Sequence, residues 1–255
     1  MRKISYLLLL TILLLLTACV GQTGINEKAV PASAKASNEM TIDTGSVKGL
    51  NTVGVLDKAS ADQSDQAVNI QVKTPMTISD NLIEYKGTSA YLRLKMISGT
   101  YCEDWTPGAI MGTIWKGRFI LDLCDEYGES LAQAELSKYY TEELTFTESF
   151  DLAFDDYNND GNIDFTLGQY ASSNGRLYKL FTIKADGTIE PLEIKDTPEL
   201  FISDSTDRYS TKLYKCDNTS FKARYYDNSQ SKTYETIYKW QDGKFIGLDK
   251  REAVS

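Results

Sequence analysis

The 255-residue sequence contains no histidine, and this absence excludes several kinds of site. Ser-His-Asp and Cys-His catalysis both use an imidazole as the general base. Imidazole is also a common zinc ligand and the side chain that titrates near neutral pH. The four cysteines offer no replacement, because their spacings match no zinc motif. Histidine-dependent hydrolases, imidazole zinc sites and histidine pH switches are therefore excluded.

Positive charge is also scarce, since 27 Lys and Arg residues stand against 36 Asp and Glu residues and leave a formal charge of −9. Nucleic acids and anionic lipid surfaces are bound by clustered Lys and Arg side chains. The acidic balance therefore predicts no nucleic-acid partner. It suits a cation-rich extracellular setting.

Aromatic residues are missing between positions 20 and 75, where Ala, Ser, Asp, Lys, Gly and Thr dominate. Such a segment cannot bury enough apolar surface to offset the entropy lost on ordering. We therefore expect a disordered tether, with 19–75 as a flexible linker and 76–255 as the folded domain. The alternation in Val68–Val72 and the short apolar run Val53–Leu56 leave open a strand or helix that docks on the domain.

The longest apolar run, Leu7–Leu16, follows a positive segment at the N-terminus. It is shorter than the roughly 20 residues that span a bilayer, and its flanks are those of a secretory signal peptide. The run ends in Leu16-Thr-Ala-Cys19, which resembles the lipobox of bacterial lipoproteins. That resemblance implies a signal peptide over 1–18, cleavage before Cys19 and acylation of its thiol.

Two acyl chains anchor a protein stably without a spanning helix. We therefore expect a lipid-anchored protein on the extracytoplasmic face of the cell membrane. The alternative is an ordinary secretory signal followed by an incidental cysteine.

Three cysteines remain for the folded domain: Cys102, Cys124 and Cys216. An odd number allows at most one internal disulfide. Proximity in the sequence makes Cys102 with Cys124 the first candidate pair. Three isolated buried thiols are the alternative.

Period-two alternation of apolar residues dominates the chain after about residue 78 and predicts strands. The clearest cases, all read from the sequence, are Tyr91–Met96, Phe119–Leu123, Phe150–Phe154, Ile163–Leu167, Leu177–Ile183, Thr188–Ile194, Phe221–Tyr226, Tyr234–Trp240 and Phe245–Leu248. Asp186-Gly187 and Asp242-Gly243 are typical hairpin turns. The fold class expected is all-β, an antiparallel meander resembling a barrel, a sandwich or part of a propeller. Only 130–144 offers a helical alternative.

The run Asp156-Tyr-Asn-Asn-Asp-Gly-Asn-Ile-Asp164 places oxygen-bearing side chains at alternate positions of one loop. Calcium takes about six to eight oxygen ligands, and a glycine at the sixth position permits the sharp bend. The predicted ligands are Asp156, Asn158, Asp160, Asn162 and Asp164. A turn rich in Asp, Asn and Gly that binds no metal is the alternative.

The loop differs from an EF-hand, which needs a bidentate acid at its twelfth position and helices on both sides. Leu167 occupies that position, and both flanks alternate as strands do. The string LAFDDYNNDGNIDFTLGQY is similar to the calcium loops of FG-GAP or VCBS repeats, found in integrin-α-like propellers. That resemblance covers about 20 residues and implies a strand on each side of the same five ligands. A full propeller needs several copies, and the sequence holds one.

These features predict a calcium-stabilised β domain that acts as a non-enzymatic binding or structural module of the cell envelope, with a protein or a wall polymer as partner. The alternative is a secreted hydrolase of glycans or peptides whose acids lie outside the loop. Glu103-Asp104 and Glu142-Glu143 are candidate acid pairs for glycoside hydrolysis. The aromatic set of Tyr225, Tyr226, Tyr234, Tyr238 and Trp240 is either a stacking platform for a ligand or a series of cross-strand pairs.

Overall fold

Alternating apolar residues form antiparallel strands in the computed structural model, which describes residues 69–203 and 208–253. Strands make up 62% of these residues, and the described part contains no α-helix, which confirms the all-β prediction. One short 3₁₀ helix, η1, covers Leu136–Lys138. The predicted signal peptide, the lipidation site Cys19 and most of the predicted linker lie outside the described residues. Within the described ranges, no helix has the length and apolarity needed to cross a bilayer.

The first sheet, sheet A, has six strands in the order β1-β3-β4-β5, with β2 also paired to β3 and β6 also paired to β4. Its strands are β1 Asn69–Val72, β2 Met76–Tyr85, β3 Thr88–Asp104, β4 Gly112–Asp125, β5 Ser130–Glu135 and β6 Leu144–Phe146.

Sheet B has five strands in the order β10-β9-β8-β7, with β11 also paired to β9. Its strands are β7 Phe154–Asp155, β8 Ile163–Ser172, β9 Gly175–Ile183, β10 Ile189–Pro191 and β11 Leu200–Ile202. Sheet C is a four-stranded meander of β12 Tyr214–Asp217, β13 Ser220–Asp227, β14 Lys232–Gln241 and β15 Lys244–Glu252. None of the three sheets closes on itself, so the barrel-like alternative does not describe this fold.

Sheet B is the middle layer, because successive residues of β9 face two different hydrophobic cores. Phe181 and Ile183 pack into a core that they share with sheet A residues such as Leu92. Tyr178 and Leu180 pack into a second core with Phe221 and Phe245 of sheet C. This arrangement explains why every residue from Tyr178 to Ile183 is buried, since both faces of the strand are covered.

A strand forms within the alternating segment of the predicted linker, where the sequence allowed either a strand or a helix. Strand β1 lies inside the predicted linker 19–75 and pairs antiparallel with the far end of β3, where Ile70 lies opposite Tyr101. The helical alternative over 130–144 does not form. That segment instead contains β5, η1 and the start of β6.

The strand predicted over Phe150–Phe154 is shorter than expected and begins at Phe154. Two backbone amides that a ladder would use are bound by side chains instead. Leu152 N donates to Asn81 Oδ1 (2.7 Å), and Ala153 N donates to Ser210 Oγ (2.9 Å). The segment is therefore held by buried polar side chains rather than by a neighbouring strand.

The predicted Cys102–Cys124 disulfide is wrong. Cys102 lies opposite Ile114, whereas Cys124 lies opposite Tyr91 near the other end of the same strand pair. Ten residues of β4 separate the two positions, about 33 Å at the rise of an extended strand, and a disulfide needs Cα atoms within about 7 Å. All three cysteines are free thiols, and only Cys124 is buried.

A close approach of β3 and β4 at Gly99 and Gly117 yields a prediction about stability. The φ angle of Gly99 is +137°, and a Cβ added there would lie 2.2 Å from the Lys116 carbonyl oxygen. We expect Gly99→Ala to lower the free energy of unfolding by about 3 kcal/mol, because backbone would have to move. Urea unfolding measures the loss.

The matched control is Gly87→Ala in the β2–β3 turn, where φ is +75° and no atom lies within 4 Å of the added Cβ. Only the backbone strain applies there, so we expect a loss of about 1 kcal/mol. Equal losses in the two variants would contradict the close approach.

Candidate functional site

The predicted calcium loop is the tip of the β7–β8 hairpin. Asp155 lies opposite Asp164, and Phe154 lies opposite Phe165. Gly161 has a φ of +80°, a conformation that L side chains rarely adopt. The flanking strands and the sharp bend are therefore those expected from the sequence.

Hydrogen bonds within the loop connect four of the predicted ligands. Asp156 Oδ1 accepts the Asp160 amide (3.2 Å), and Asp156 Oδ2 accepts the Gly161 amide (3.0 Å). Asp160 Oδ1 accepts the Asn162 amide (2.9 Å), and its Oδ2 accepts Asn158 Nδ2 (2.9 Å). The loop therefore uses its own acids to fix its backbone, and the anionic side chains face its interior amides.

Asp164 differs from the other acids because it is completely buried. Its Oδ2 accepts the Tyr157 amide (2.8 Å), but its Oδ1 has no hydrogen-bond partner among the described residues. The pKa of Asp164 is raised to about 7, mainly by burial and also by the negative charges of Asp160 and Asp156, while the Tyr157 amide opposes the shift. The hydroxyl of Thr182 lies close enough to lower this pKa, yet outside the geometry of an ordinary hydrogen bond. An unsatisfied buried carboxylate oxygen is costly, and a cation would satisfy it.

The sequence analysis missed Tyr157, the second residue of the loop. Its side chain is fully buried, and its ring contacts Phe221 of sheet C edge-on at a centroid distance of 5.7 Å. Its hydroxyl oxygen accepts the Leu213 amide (3.0 Å). A large aromatic residue within an otherwise polar loop is the signal that could have indicated this anchor.

Two lysines compensate the acid that precedes the loop. Asp155 forms ion pairs with Lys212 (3.1 Å) and Lys215 (3.3 Å). Burial raises the pKa of Asp155, but the Asp156 amide and the two lysines hold it below its ordinary value. Lys215 Nζ also donates to the backbone carbonyl of Asp156. The base of the hairpin is therefore close to electrically neutral, and the uncompensated charge lies at its tip.

The donor set fits calcium in composition but does not form a carboxylate cage. Among the described residues, no group of three or more Cys, Asp or Glu side chains converges closely enough to hold a metal ion by itself. Calcium also takes amide and backbone carbonyl oxygens, and Asn158 and Asn162 bring amides to this loop. Each carboxylate oxygen that accepts one amide keeps a further lone pair for a cation.

The other candidates from the sequence lie apart from the loop. Tyr225 and Tyr234 stack as a cross-strand pair, and Tyr238 stacks on Phe221 in the second core, as the cross-strand alternative expects. Asp104 accepts the Thr106 amide at the end of β3, which lowers the pKa of Asp104. Glu103 and Asp104 are the last two residues of β3, and Glu142 and Glu143 directly precede β6. All four are at least partly exposed.

A cleft of about 700 Å³ that the sequence did not indicate lies between β6 and the β8–β9 hairpin. Its lining comes from segments far apart in the chain, including Met111, Tyr140, Glu142, Gln169, Arg176 and Tyr209. No period or motif connects these positions, and the cleft therefore could not be predicted from the sequence.

No protein-family model, curated protein or solved structure matches this chain.

The Tyr157 anchor yields a prediction about the loop. Tyr157→Phe keeps the ring but leaves the buried Leu213 amide without its acceptor. We expect the free energy of unfolding to fall by roughly 2 kcal/mol. Tyr214→Phe, at a tyrosine that is 56% exposed, is the control and should change stability by less than about 0.5 kcal/mol. Denaturant unfolding measures the loss of stability in each variant. Equal unfolding midpoints for Tyr157→Phe and Tyr214→Phe would contradict the anchoring role of the Tyr157 hydroxyl.

Proposed function

We propose that this chain is a lipid-anchored, extracytoplasmic protein whose β domain is stabilised by calcium at the Asp156–Asp164 loop. In this proposal the domain serves as a non-enzymatic binding or structural module of the cell envelope. The ligands are Asp156, Asn158, Asp160, Asn162 and Asp164.

The observation that carries the calcium proposal is the buried, unpartnered Oδ1 of Asp164. The loop also concentrates three carboxylates that repel one another in the absence of a cation, and the charges of Asp156 and Asp160 act on Asp164. A bound divalent cation relieves both costs. The same acids already hold the loop backbone, which supports a role for the ion in stabilising the fold.

The anchor is supported by the sequence Leu16-Thr-Ala-Cys19 and the apolar run before it. A tether formed by 19–68, the part of the predicted linker before β1, would hold the domain away from the membrane surface, where a partner can reach it. The envelope role follows from this placement together with the acidic composition.

The hydrolase alternative receives less support from the geometry. A glycosidase acid needs a raised pKa, which burial provides, and Glu142 and Glu143 are both exposed. Glu143 pairs with Lys116 (3.6 Å), and Glu103 accepts the Tyr101 hydroxyl (2.7 Å).

The first test is thermal unfolding of the full chain in detergent, with calcium and with EGTA. A ligand that binds only the native state at 100 times its Kd adds about 2.7 kcal/mol, which raises Tm by roughly 5–10 °C for a domain of this size. Asp160→Ala should abolish the rise, because Asp160 is a proposed ligand.

The matched control is Asp186→Ala. Asp186 accepts the Thr188 amide in another Asp-Gly turn (2.9 Å), outside the proposed site. This variant should keep the full calcium response. The proposal fails if calcium leaves the midpoint of the wild-type chain unchanged and native mass spectrometry finds no retained calcium.

The second test addresses the anchor. When expressed in a bacterium, the full chain should partition into the detergent phase and carry a diacylglyceryl group on Cys19. Cys19→Ser should accumulate as the unprocessed precursor, because the processing machinery needs the thiol. Intact mass spectrometry distinguishes the two forms, and cleavage at another residue without added lipid would refute lipidation.

A further inference from the structure

The cleft between β6 and the β8–β9 hairpin has the size of a small-molecule site. Its volume of about 700 Å³ lies within the roughly 300–1,000 Å³ usual for such sites. Leu177 and Lys179 line it from β9, and the apolar side chains of Ile110 and Met111 border it from the β3–β4 loop. Both apolar side chains are largely exposed to solvent.

Backbone groups beside the cleft take part in four hydrogen bonds and are therefore not free to pair with an added strand. The bonds are Gly168 N to Tyr209 O (2.8 Å), Tyr140 Oη to Leu167 O (2.9 Å), Thr145 N to Gln169 Oε1 (2.9 Å) and Thr147 N to Tyr209 Oη (2.9 Å). A peptide that adds as an extra strand needs unpaired backbone donors and acceptors. A ligand here therefore meets side chains.

The ring surface that the cleft offers a ligand is that of Tyr170, because Tyr209 is only 4% exposed and its ring packs against Phe146, Phe150 and the Arg176 guanidinium. Tyr139 Oη donates to the Ile189 carbonyl (3.1 Å), Tyr140 Oη to Leu167, and the Tyr209 hydroxyl is engaged by Thr147. Tyr170 is 39% exposed at the mouth of the cleft. A flat, partly exposed ring such as that of Tyr170 suits a ligand with an apolar C–H face, for example a pyranose ring.

Arg176 is the cation of the cleft that is available to a ligand. Lys179 is paired with Glu199 at 3.1 Å, and Arg208 lies 3.6 Å from Glu148. The guanidinium of Arg176 lies over the Tyr209 ring at 5.6 Å, and none of the described carboxylates forms an ion pair with it. A guanidinium stacked on a ring keeps its in-plane donors free for a carboxylate or phosphate group.

The lining of the cleft also includes Thr141 and Glu142, both exposed and able to bind hydroxyl groups. The carboxylate of Glu142 repels a second anionic group, so a ligand would place its acid at the Arg176 end and neutral hydroxyls at the other.

We propose that this cleft binds a saccharide that bears one acidic group, with its ring against Tyr170 and its carboxylate or phosphate on Arg176. The inference rests on the proposed binding role and names its ligand class, but it depends on neither the calcium loop nor the lipid anchor.

The experiment is calorimetric titration of the full chain in detergent at low salt. The probes are trigalacturonate for a carboxylate source, glucose 6-phosphate for a phosphate source, maltotriose as the neutral saccharide and a tetra-aspartate peptide. We expect one acidic saccharide to bind saturably and at least about tenfold more tightly than maltotriose.

Three variants locate the interaction. Arg176→Gln should weaken binding of the acidic saccharide about tenfold or more and leave maltotriose unaffected. Tyr170→Ala should weaken both saccharides, because it removes a shared ring contact. Arg118→Gln, at an exposed arginine paired with Glu135 outside the cleft, should bind as the wild type does. Unchanged melting temperatures show that the variants are folded.

The proposal is overturned if neither acidic saccharide binds saturably, if Arg176→Gln binds them as tightly as the wild type, or if the peptide binds more tightly than both. Arg176-dependent binding that persists in Asp160→Ala would uphold the cleft even if the calcium proposal failed. A normal calcium response without any saccharide binding would overturn the cleft alone.

Discussion

The burial of sheet B on both faces is the constraint on which the rest of the structure depends. Its strand β9 alternates between two cores, so sheets A and C can each bury an apolar face only against this middle layer. The hairpin β7–β8 belongs to the same sheet, and the loop at its tip is therefore fixed relative to both cores. A binding site at this loop would be held in place by the rigid central sheet, because sites supported by regular secondary structure are positioned more precisely than sites on loops alone.

The loop is polar in sequence but is held by its buried residues. Tyr157 reaches the second core, and Asp164 is fully buried at the start of β8. Their connection, from the Tyr157 amide to Asp164 Oδ2, joins the two ends of the loop. Lys212 and Lys215 come from the segment that leads into sheet C, so the charges around the hairpin base also connect neighbouring layers. A cation at the tip would complete a set of interactions that the protein already begins.

Sequence reasoning recovered the strands whose apolar residues recur at every second position of the sequence, such as β3, β14 and the flanks of the loop. It placed the start of β7 too early, at Phe150. The ring of Phe150 stacks with Phe146 in an aromatic cluster, and the residue does not belong to a strand. The cysteine pairing depended on a long hairpin whose register no local pattern reveals. The proposed ligand positions of the loop could be picked out because they lie close together in the sequence, whereas the cleft is assembled from distant segments and could not be.

The three layers follow one another in the order of the chain, with sheet A first, sheet B second and sheet C last. Each sheet can therefore pair its own strands before the next has been synthesised, and long-range loop closure is limited mainly to stacking one finished layer on another. Until β13 and β15 arrive, however, Tyr178 and Leu180 face solvent. During synthesis from the N-terminus, these two side chains can therefore reach their full burial only after the final meander has docked.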